Sequence, residues 1–547
     1  MMRNFLKIII VLLVSNQFVW AQEVKTYVIY LKDKPTQGFN PYTYFDAKNI
    51  ERKALAHLPL FDERDLPVNE SYEQQVTAAC NTVLVASRWL NALFVKATPV
   101  QIAQITKHAF VKVIDEYHNS DEKIIAGSNA QTAISGPNKQ FLDYQTGRFG
   151  AAEFEQKGLT GKGIRIALFD VGFSGADKHM AFEHLRKNNQ IKGTYDFIEK
   201  ETNVYKGGAH GTNTLSCITG VFDGVKMGMA TDAEFLLART EWTIKEDKQE
   251  EYFWLAAAEW ADKNGAQIIS SSLGYGKDWY TVRDMDGKKS VVSFAATVAA
   301  QKGILIVNSA GNEYQDSWKT IVTPADADSV LCVGGTNPYT DRHINFSSIG
   351  PSADYRVKPN VSAPGHVVAA NPNGTISQTF GTSFSCPLTS GFAACAWQGN
   401  RSLTNMQLFA EIQKAGHLYP YFDYMHGYGI PQAGYFTNPS VKKATANFKV
   451  EQNDKTIEAY EITFTDSAVT NKIVQFQEKE KANLNDRRPP IGLNFYWNTT
   501  NEKGEITYYE VISVREVTQL IIKPKNVRKN YTLNFHFEGY TYSKTIE

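Results

Sequence analysis

The sequence predicts that the middle of this chain folds as an α/β domain, a parallel sheet with helices on both faces. Buried strands are predicted from apolar runs at residues 164–169, 234–238, 267–271, 304–308 and 330–333. Stretches with helical spacing of apolar residues lie between them, at 252–260 and 293–302. Continuous apolar strands bounded by helices are typical of βαβ units and a buried parallel sheet. We expect this domain to span residues 141–440.

Length and charge limit the remaining possibilities. At about 150 residues per domain, 547 residues predict roughly three to four domains. Lys and Arg number 57 and so do Asp and Glu, which gives a net charge of zero. This balance disfavours a protein built mainly to bind nucleic acid or an anionic membrane, because both require a basic surface. Five cysteines are too few for a disulfide scaffold of this length.

The first 21 residues have the pattern of a secretory signal peptide. A positively charged start precedes an apolar run at 8–14, and a small residue, Ala21, ends the segment. The run is shorter than the roughly 20 residues that a membrane-spanning helix needs. We therefore expect export, with Gln22 first after cleavage and no membrane span. Periplasm, cell surface and medium all remain open as destinations.

Residues 22–118 predict a small α+β unit. Strands are expected at 25–32, 91–97 and 110–114, and Thr98-Pro99 has the form of a helix cap followed by proline at the first helical position. Residues 119–140 are polar and show no periodicity, so they are predicted to be an exposed linker.

Residues 441–547 predict an antiparallel all-β module. Apolar side chains alternate with polar ones at 460, 462 and 464, and again at 533, 535 and 537. A period of two with no helical pattern is typical of such modules. No motif identifies its role; substrate or surface binding, secretion and stabilisation are all open, and we favour a stabilising, sandwich-like module.

Three polar residues of the middle domain stand in unusual contexts. Asp170 ends an apolar strand, and strand ends face the crevice where α/β proteins bind ligands. His210-Gly-Thr begins a predicted helix. Ser383 lies between a glycine-containing turn and the start of another helix, where backbone N–H groups are free. Any one of them alone is explained better by a cap or a simple hydrogen bond.

Together, Asp170, His210 and Ser383 form the set that a serine nucleophile needs. A hydroxyl is a weak nucleophile and requires a base, and the base requires an acid that orients it and stabilises its charged form. The chain order Asp, His, Ser is that known from subtilisin. Other acids and bases nearby, Asp177, His179 and His184, lack a Gly-Thr context.

On these motifs, residues of about 141–440 resemble the subtilisin-like (subtilase) serine peptidases. Gly381-Thr-Ser-Phe-Ser-Cys-Pro387 resembles the nucleophile motif of that family, His210-Gly-Thr its histidine motif, and the strand ending at Asp170 its aspartate motif. Val171 and Cys386 depart from the usual small or hydroxyl residues, but neither position is catalytic. The resemblance implies a subtilisin-like fold for the domain.

The resemblance also implies roles for residues outside the triad. Ile306-Val-Asn-Ser-Ala-Gly-Asn312 is similar to the segment whose asparagine donates to the oxyanion, so Asn312 and the backbone N–H of Ser383 are expected to form the oxyanion hole. The residues expected to bind the substrate backbone are Ser272, Leu273, Gly274, Ala310 and Gly311. Residues 22–118 loosely resemble the inhibitory propeptide of secreted subtilases.

The function that follows is a secreted serine endopeptidase made as a precursor that processes itself within 119–140. Its expected partners are protein or peptide substrates and its own propeptide, acting as an intramolecular inhibitor. The chemistry needs no cofactor and no metal. Many subtilases bind structural calcium, but no acidic loop here is specific enough to name ligands.

Three alternatives have sequence features that distinguish them. Serine-carboxyl peptidases (sedolisins) share a similar Gly-Thr-Ser turn but use Glu in place of His, and His210-Gly-Thr disfavours them. An inactive scaffold or adhesin on a peptidase fold predicts loss of a triad residue, and none is lost. A nucleotide-binding protein is disfavoured because Gly158–Gly163 lacks the spacing of a phosphate loop and precedes its strand.

Overall fold

A computed structural model describes most of the chain. The described residues are 23–117, 123–124, 132–134, 144–243, 245–438, 445–454, 459–465, 471–472, 474–475, 493–514, 520–525 and 527–547. The predicted signal peptide, 1–21, lies outside them. Within the described ranges, no helix combines the length and the apolar character required to cross a bilayer.

The N-terminal unit is the α+β fold that the sequence predicts, with more helix than expected. Its elements are β1 (Lys25–Leu31), α1 (Pro41–Tyr44), α2 (Ala47–Leu55), α3 (Glu70–Ala79), β2 (Thr82–Ser87), β3 (Ala92–Ala97), α4 (Pro99–Ile105) and β4 (Val111–Tyr117). The strands form an antiparallel sheet in the order β2-β3-β1-β4. The Thr98 cap is confirmed, since its side chain accepts from the backbone N–H of Gln101.

Two short strands follow, within the range predicted to be a linker. They are β5 (Lys123–Ile124) and β6 (Thr132–Ile134). Both pair with strands of the middle domain rather than with each other. The sequence of this range is polar and has no period-two pattern that would predict strands. These short strands are identified only by their backbone pairing with distant strands of the middle domain.

The middle domain alternates strands and helices as predicted. Its elements are α5 (Ala151–Gln156), β7 (Arg165–Asp170), α6 (Glu183–Lys187), β8 (Ile191–Asp196), α7 (His210–Thr219), β9 (Val221–Phe222), β10 (Val225–Lys226), β11 (Glu234–Arg239), β12 (Lys245–Glu246), α8 (Glu250–Lys263), β13 (Ile268–Ser271), α9 (Val291–Gln301), β14 (Leu305–Ser309), β15 (Val330–Thr336), β16 (Val361–Pro364), β17 (His366–Ala370), β18 (Ile376–Phe380), α10 (Thr382–Gly399), α11 (Asn405–Lys414) and α12 (Ala433–Thr437).

Seven of these strands form a parallel sheet in the order β16-β15-β14-β13-β7-β11-β8. Successive residues of β7 point to opposite faces. Ile166 and Leu168 pack in the core shared with α7 and α10, whereas Ala167 and Phe169 pack in the core shared with α8 and α9. Helices therefore cover both faces, as the apolar strands predict.

The C-terminal module consists of antiparallel strands in two sheets. Its strands are β19 (Phe448–Asp454), β20 (Ala459–Phe464), β21 (Asn494–Thr500), β22 (Ile506–Ser513), β23 (Leu520–Ile522), β24 (Thr532–Phe537) and β25 (Tyr540–Thr545). The sheets have the orders β19-β20-β23 and β22-β21-β24-β25. The alternating residues of 460–464 and 533–537 form the core between them, which confirms the prediction.

One face of the N-terminal sheet packs against helices of its own unit, and the opposite face packs against the middle domain. Tyr27, Ile29 and Val95 pack against the helices of their own unit. Val28 and Phe94, on the opposite face, join the core formed by α8 and α9. The unit is therefore held by an apolar interface as well as by the chain that connects it.

Buried charged side chains from both units form a network of ion pairs and hydrogen bonds at the same interface. Arg88 Nη2 lies 2.6 Å from Asp262 Oδ2 on α8, and Arg52 Nη2 binds the other oxygen of that carboxylate. Glu259, one turn before, accepts from Ser87 Oγ at 2.5 Å and from the backbone N–H groups of Arg88 at 2.9 Å and Trp89 at 3.0 Å. Buried charges are tolerated only when they are paired, so these partners fix how the N-terminal unit docks.

Candidate active site

Asp170 and His210 form a hydrogen-bonded pair at the carboxyl edge of the sheet. Asp170 is the last residue of β7 and is fully buried, and His210 is the first residue of α7. His210 Nδ1 lies 2.8 Å from Asp170 Oδ1. The carboxylate also accepts from the Val171 N–H at 2.8 Å and from Thr214 Oγ1 at 3.0 Å. These bonds hold the aspartate rigidly, and with it the imidazole ring.

The charge of Asp170 changes the basicity of His210. Burial lowers the pKa of His210, but the negative charge of Asp170 and its hydrogen bond raise it by more, so that it lies above the usual 6.5. The side chain of His210 keeps about a third of its surface exposed. This ring can therefore both take a proton and deliver it to a bound ligand.

Ser383 lies in the first turn of α10, where the helix N-terminus favours negative charge. Pro387, inside the same helix, has no N–H to bond the carbonyl four residues before it, which is that of Ser383. Ser272 Oγ donates to this carbonyl instead, at 2.7 Å. Because the proline leaves the Ser383 carbonyl without a helical partner, this carbonyl can accept the hydrogen bond that links the Ser383 turn to the loop after β13.

The Ser383 hydroxyl is held only loosely. Its Oγ lies 3.5 Å from the carbonyl of Ser272, which is long for a hydroxyl donor, and it is not hydrogen-bonded to His210. The His210 ring nevertheless lies beside this turn, with its centroid 5.7 Å from that of Phe384. Nucleophile–base hydrogen bonds are often looser without substrate than with it.

Asn312 is oriented by the turn before Ser383. Its Oδ1 accepts from the backbone N–H of Thr382 at 2.9 Å and from Thr382 Oγ1 at 3.0 Å. The amide nitrogen is therefore left to donate elsewhere. Gly381 has φ of +143°, and a Cβ there would stand 3.7 Å from Asn312 Nδ2. Glycine at this position satisfies the backbone conformation and keeps the donor uncovered.

Ser383 and Asn312 open into one cavity of about 230 Å³. Four of the five residues expected to bind substrate line it, namely Ser272, Leu273, Gly274 and Gly311. Ala310 does not line it: the residue is fully buried, and its N–H and carbonyl bond Val333 and Val322. The structure therefore leaves no atom of Ala310 exposed for a substrate to contact, because its backbone groups are hydrogen-bonded within the domain.

Three glutamates beside the cavity could hold a cation by their spacing. Glu241, Glu246 and Glu250 each offer one oxygen, and these oxygens lie within 4.8 Å of one another. Tyr275 donates to Glu241 at 2.5 Å, and backbone N–H groups of Trp242 and Asp247 donate to Glu250. No other such group of three occurs in the part of the chain that the structure describes.

The other candidates lie outside this cavity. His179 caps a short 3-10 helix by accepting from the Ala181 N–H, and His184 contacts Thr219. Cys386 is a buried thiol that donates to the carbonyls of Ser271 and Val307. These groups have structural partners.

Several residues of the site were not found from the sequence. Thr214 lies four residues after His210, on the same helix face, and this spacing is a signal that could have found it. Thr382 lies within the quoted nucleophile motif and Ser272 was expected to bind substrate, but their bonds to Asn312 and Ser383 could not be predicted, because they join loops that meet only in the fold. The glutamates have no sequence pattern in common, since 241, 246 and 250 come together by a turn.

Comparisons with known proteins identify relatives of the N-terminal unit and of the middle domain. The sequence model of the Subtilase family matches residues 161–429, and that of the peptidase S8 propeptide domain of Bacteroidota matches residues 26–132. Subtilisin BL of Lederbergia lenta is 27% identical over 272 residues, covering 49% of this chain and 89% of the relative. An alkaline protease of Alkalihalobacillus alcalophilus is 26% identical over 276 residues, covering 49% of this chain and 63% of the relative.

Among solved structures, MycP1 from the ESX-1 type VII secretion system matches with a TM-score of 0.47 and 24% identity. The match covers 60% of this chain and 93% of that one. With its parallel sheet and the two family matches, the chain belongs to the subtilase family of serine endopeptidases over residues 161–429, preceded by a peptidase S8 propeptide domain.

Proposed function

We propose that this protein hydrolyses peptide bonds through a triad of Asp170, His210 and Ser383, with an acyl-enzyme intermediate. The observation that carries the proposal is the Asp170–His210 pair, bonded at 2.8 Å, beside the helix turn that presents Ser383. His210 takes the proton of Ser383 as its oxygen attacks the substrate carbonyl, and returns it to the leaving amine. Water then resolves the acyl-enzyme. No cofactor takes part.

The oxyanion in this mechanism is held by Asn312 Nδ2 and the backbone N–H of Ser383. The orientation of Asn312 supports this role, because its oxygen is occupied by Thr382. The rim residues Ser272–Gly274 are then an edge to which an extended peptide adds as a strand.

The direct test is labelling with a fluorophosphonate probe, followed by peptide mapping. Ser383 is expected to carry the label in the processed enzyme. If Ser383 is unlabelled while the protein is folded, an inactive scaffold is the better description. An optimum at acidic pH would favour the serine-carboxyl peptidases instead, although the family match and His210 argue against them.

Replacing Asn312 with leucine should lower kcat by about 10²–10³-fold, a magnitude known from the equivalent donor of subtilisin itself. KM should change little, because the oxyanion exists only in and near the transition state. Steady-state kinetics on a peptide amide separates the two. A rise in KM alone would contradict the proposed role.

The acid limb of the pH profile should report His210. Its pKa is raised above 6.5, and only the neutral imidazole accepts the Ser383 proton. Activity should therefore be lost as the pH falls, with the half-maximum of kcat/KM above pH 6.5. Measuring kcat/KM between pH 5 and 9 checks this, and a half-maximum below 6.5 would contradict it.

We further propose that the chain is exported and processes itself within 119–140. Pairing of β5 with β12, whose Glu246 lines the cavity, and of β6 with β18, which leads into Gly381, supports cleavage in this range. The docked propeptide is then an inhibitor until it is removed. N-terminal sequencing of the secreted protein tests both steps: a start at Gln22 would rule out processing, and an intact Met1 would rule out signal cleavage.

A further inference from the structure

The described charged residues that line the cavity beside Ser383 are all acidic. Among the side chains that the structure describes, its lining includes Glu241, Glu246 and Glu313, and no Lys, Arg or His. Glu313 lies 3.1 Å from Lys277 and so is partly compensated. For the other two, no nitrogen of a Lys, Arg or His whose side chain the structure describes lies within 4.0 Å. The segment 241–246, which we call the carboxylate wall, therefore presents two carboxyl groups that no described side chain pairs with a cation.

These carboxylates are held in position. Glu250, behind the wall, accepts from the N–H groups of Trp242 at 2.7 Å and Asp247 at 3.2 Å, and so ties the two ends of the loop together. The Tyr275 hydroxyl fixes Glu241. Burial raises the pKa of Glu246 to about 7 and that of Glu250 to about 9, with the charge of Glu246 adding to the effect on Glu250. A positively charged ligand would therefore stabilise the ionised form of these carboxyl groups.

A peptide strand fits against this wall in the structure itself. β5 pairs antiparallel with β12, and the register places Lys123 opposite Glu246. The wall thus pairs with an extended backbone, and the residue at the register position opposite Glu246 is a lysine.

We propose that this cavity recognises a Lys or Arg side chain of the peptide substrate, with Glu246 and Glu241 as the specificity-determining residues. The inference rests on the proposed function, since it assigns a subsite of the same cleft. A buried carboxylate bonded to an ammonium or guanidinium makes a charge-assisted hydrogen bond, which is stronger than a neutral one. A neutral substrate group offers no such partner, so it should be bound less tightly than a cationic one.

The test is cleavage of a fluorogenic peptide library by the processed enzyme, with Arg, Lys, norleucine and Glu placed in turn at each position around the scissile bond. At one position, kcat/KM for Arg or Lys should exceed that for norleucine by about tenfold or more. Glu246→Gln and Glu241→Gln should each reduce this ratio, and Glu246→Lys should turn the preference towards Glu. Glu183→Gln, at an exposed residue outside the cavity, should keep the wild-type ratio.

Titrating active sites with the fluorophosphonate probe separates this inference from the proposed function. An unlabelled wild type refutes the function itself. A labelled wild type with no cationic preference at any position, or a preference that survives both glutamine variants, refutes only the subsite. Calorimetric titration with calcium chloride is the third arm: binding by the wild type that Glu246→Gln abolishes would mark the cluster as a metal site and overturn the proposal.

Discussion

Replacing Ser383 with alanine should abolish both peptide hydrolysis and processing of the precursor, while the protein stays folded. Removing the nucleophile leaves only the binding groups and the oxyanion donors. The expected loss in kcat is about 10⁶-fold, a magnitude known from the nucleophile of subtilisin itself. Because the Ser383 hydroxyl makes only a 3.5 Å contact with Ser272, its loss should cost little stability. Hydrolysis of a peptide amide, gel mobility of the precursor and thermal unfolding measure the three quantities.

A suitable control is Ser402→Ala, at an exposed serine after α10, which should process and cleave as the wild type does. If Ser383→Ala retained activity near that of the wild type, the nucleophile would have been misassigned. If it failed to accumulate as a folded precursor, the serine would be structural, and the triad would need another test through His210.

Replacing Arg88 with alanine should loosen the propeptide from the catalytic domain. Arg88 is buried and pairs with Asp262 at 2.6 Å, and its loss leaves the carboxylates of Asp262 and Glu259 with fewer partners in a dry interface. Breaking a buried ion pair from one side costs about 3–5 kcal/mol. In the Ser383→Ala background, amide exchange in β1 and β3 should then be roughly 10²–10⁴ times faster, as measured by mass spectrometry.

The matched control is Arg64→Ala. Arg64 also reaches across the interface, to Gln301, but through an exposed hydrogen bond at 2.8 Å. Exposed contacts contribute about 0–1 kcal/mol, so exchange should barely change. Equal effects of the two variants would show that the buried network does not hold the propeptide.

Five strands of the catalytic domain, β7, β11, β13, β14 and β15, could be predicted because they are buried almost completely. A strand such as β7 or β14 must then be a continuous apolar run, and the sequence shows such runs directly. The alternation in 460–464 and 533–537 predicted the C-terminal strands for the related reason that one face of each is buried. The helices α2 and α3 were missed, since few of their residues are buried and their sequence is mostly polar.

The identity of the candidate catalytic groups was available from local motifs. Asp170, His210, Ser383 and Asn312 each stand next to glycine or at a helix start, so their residue types and contexts could be recognised along the chain. Their partners could not. The bond from Thr382 to Asn312 joins residues 70 apart, and that from Ser272 to Ser383 joins residues 111 apart.

The sequence by itself determined the parts of this protein: three folded regions, the parallel sheet and the four residues assigned to the chemistry. It could do so because burial and local backbone geometry leave patterns within a few residues. Only the tertiary structure decided how the parts meet: the Arg88–Asp262 contact that docks the propeptide, the amide orientation of Asn312 and the carboxylate wall at 241–246. These depend on charges and hydrogen bonds between distant segments, and the low dielectric that makes them strong exists only once the chain is folded.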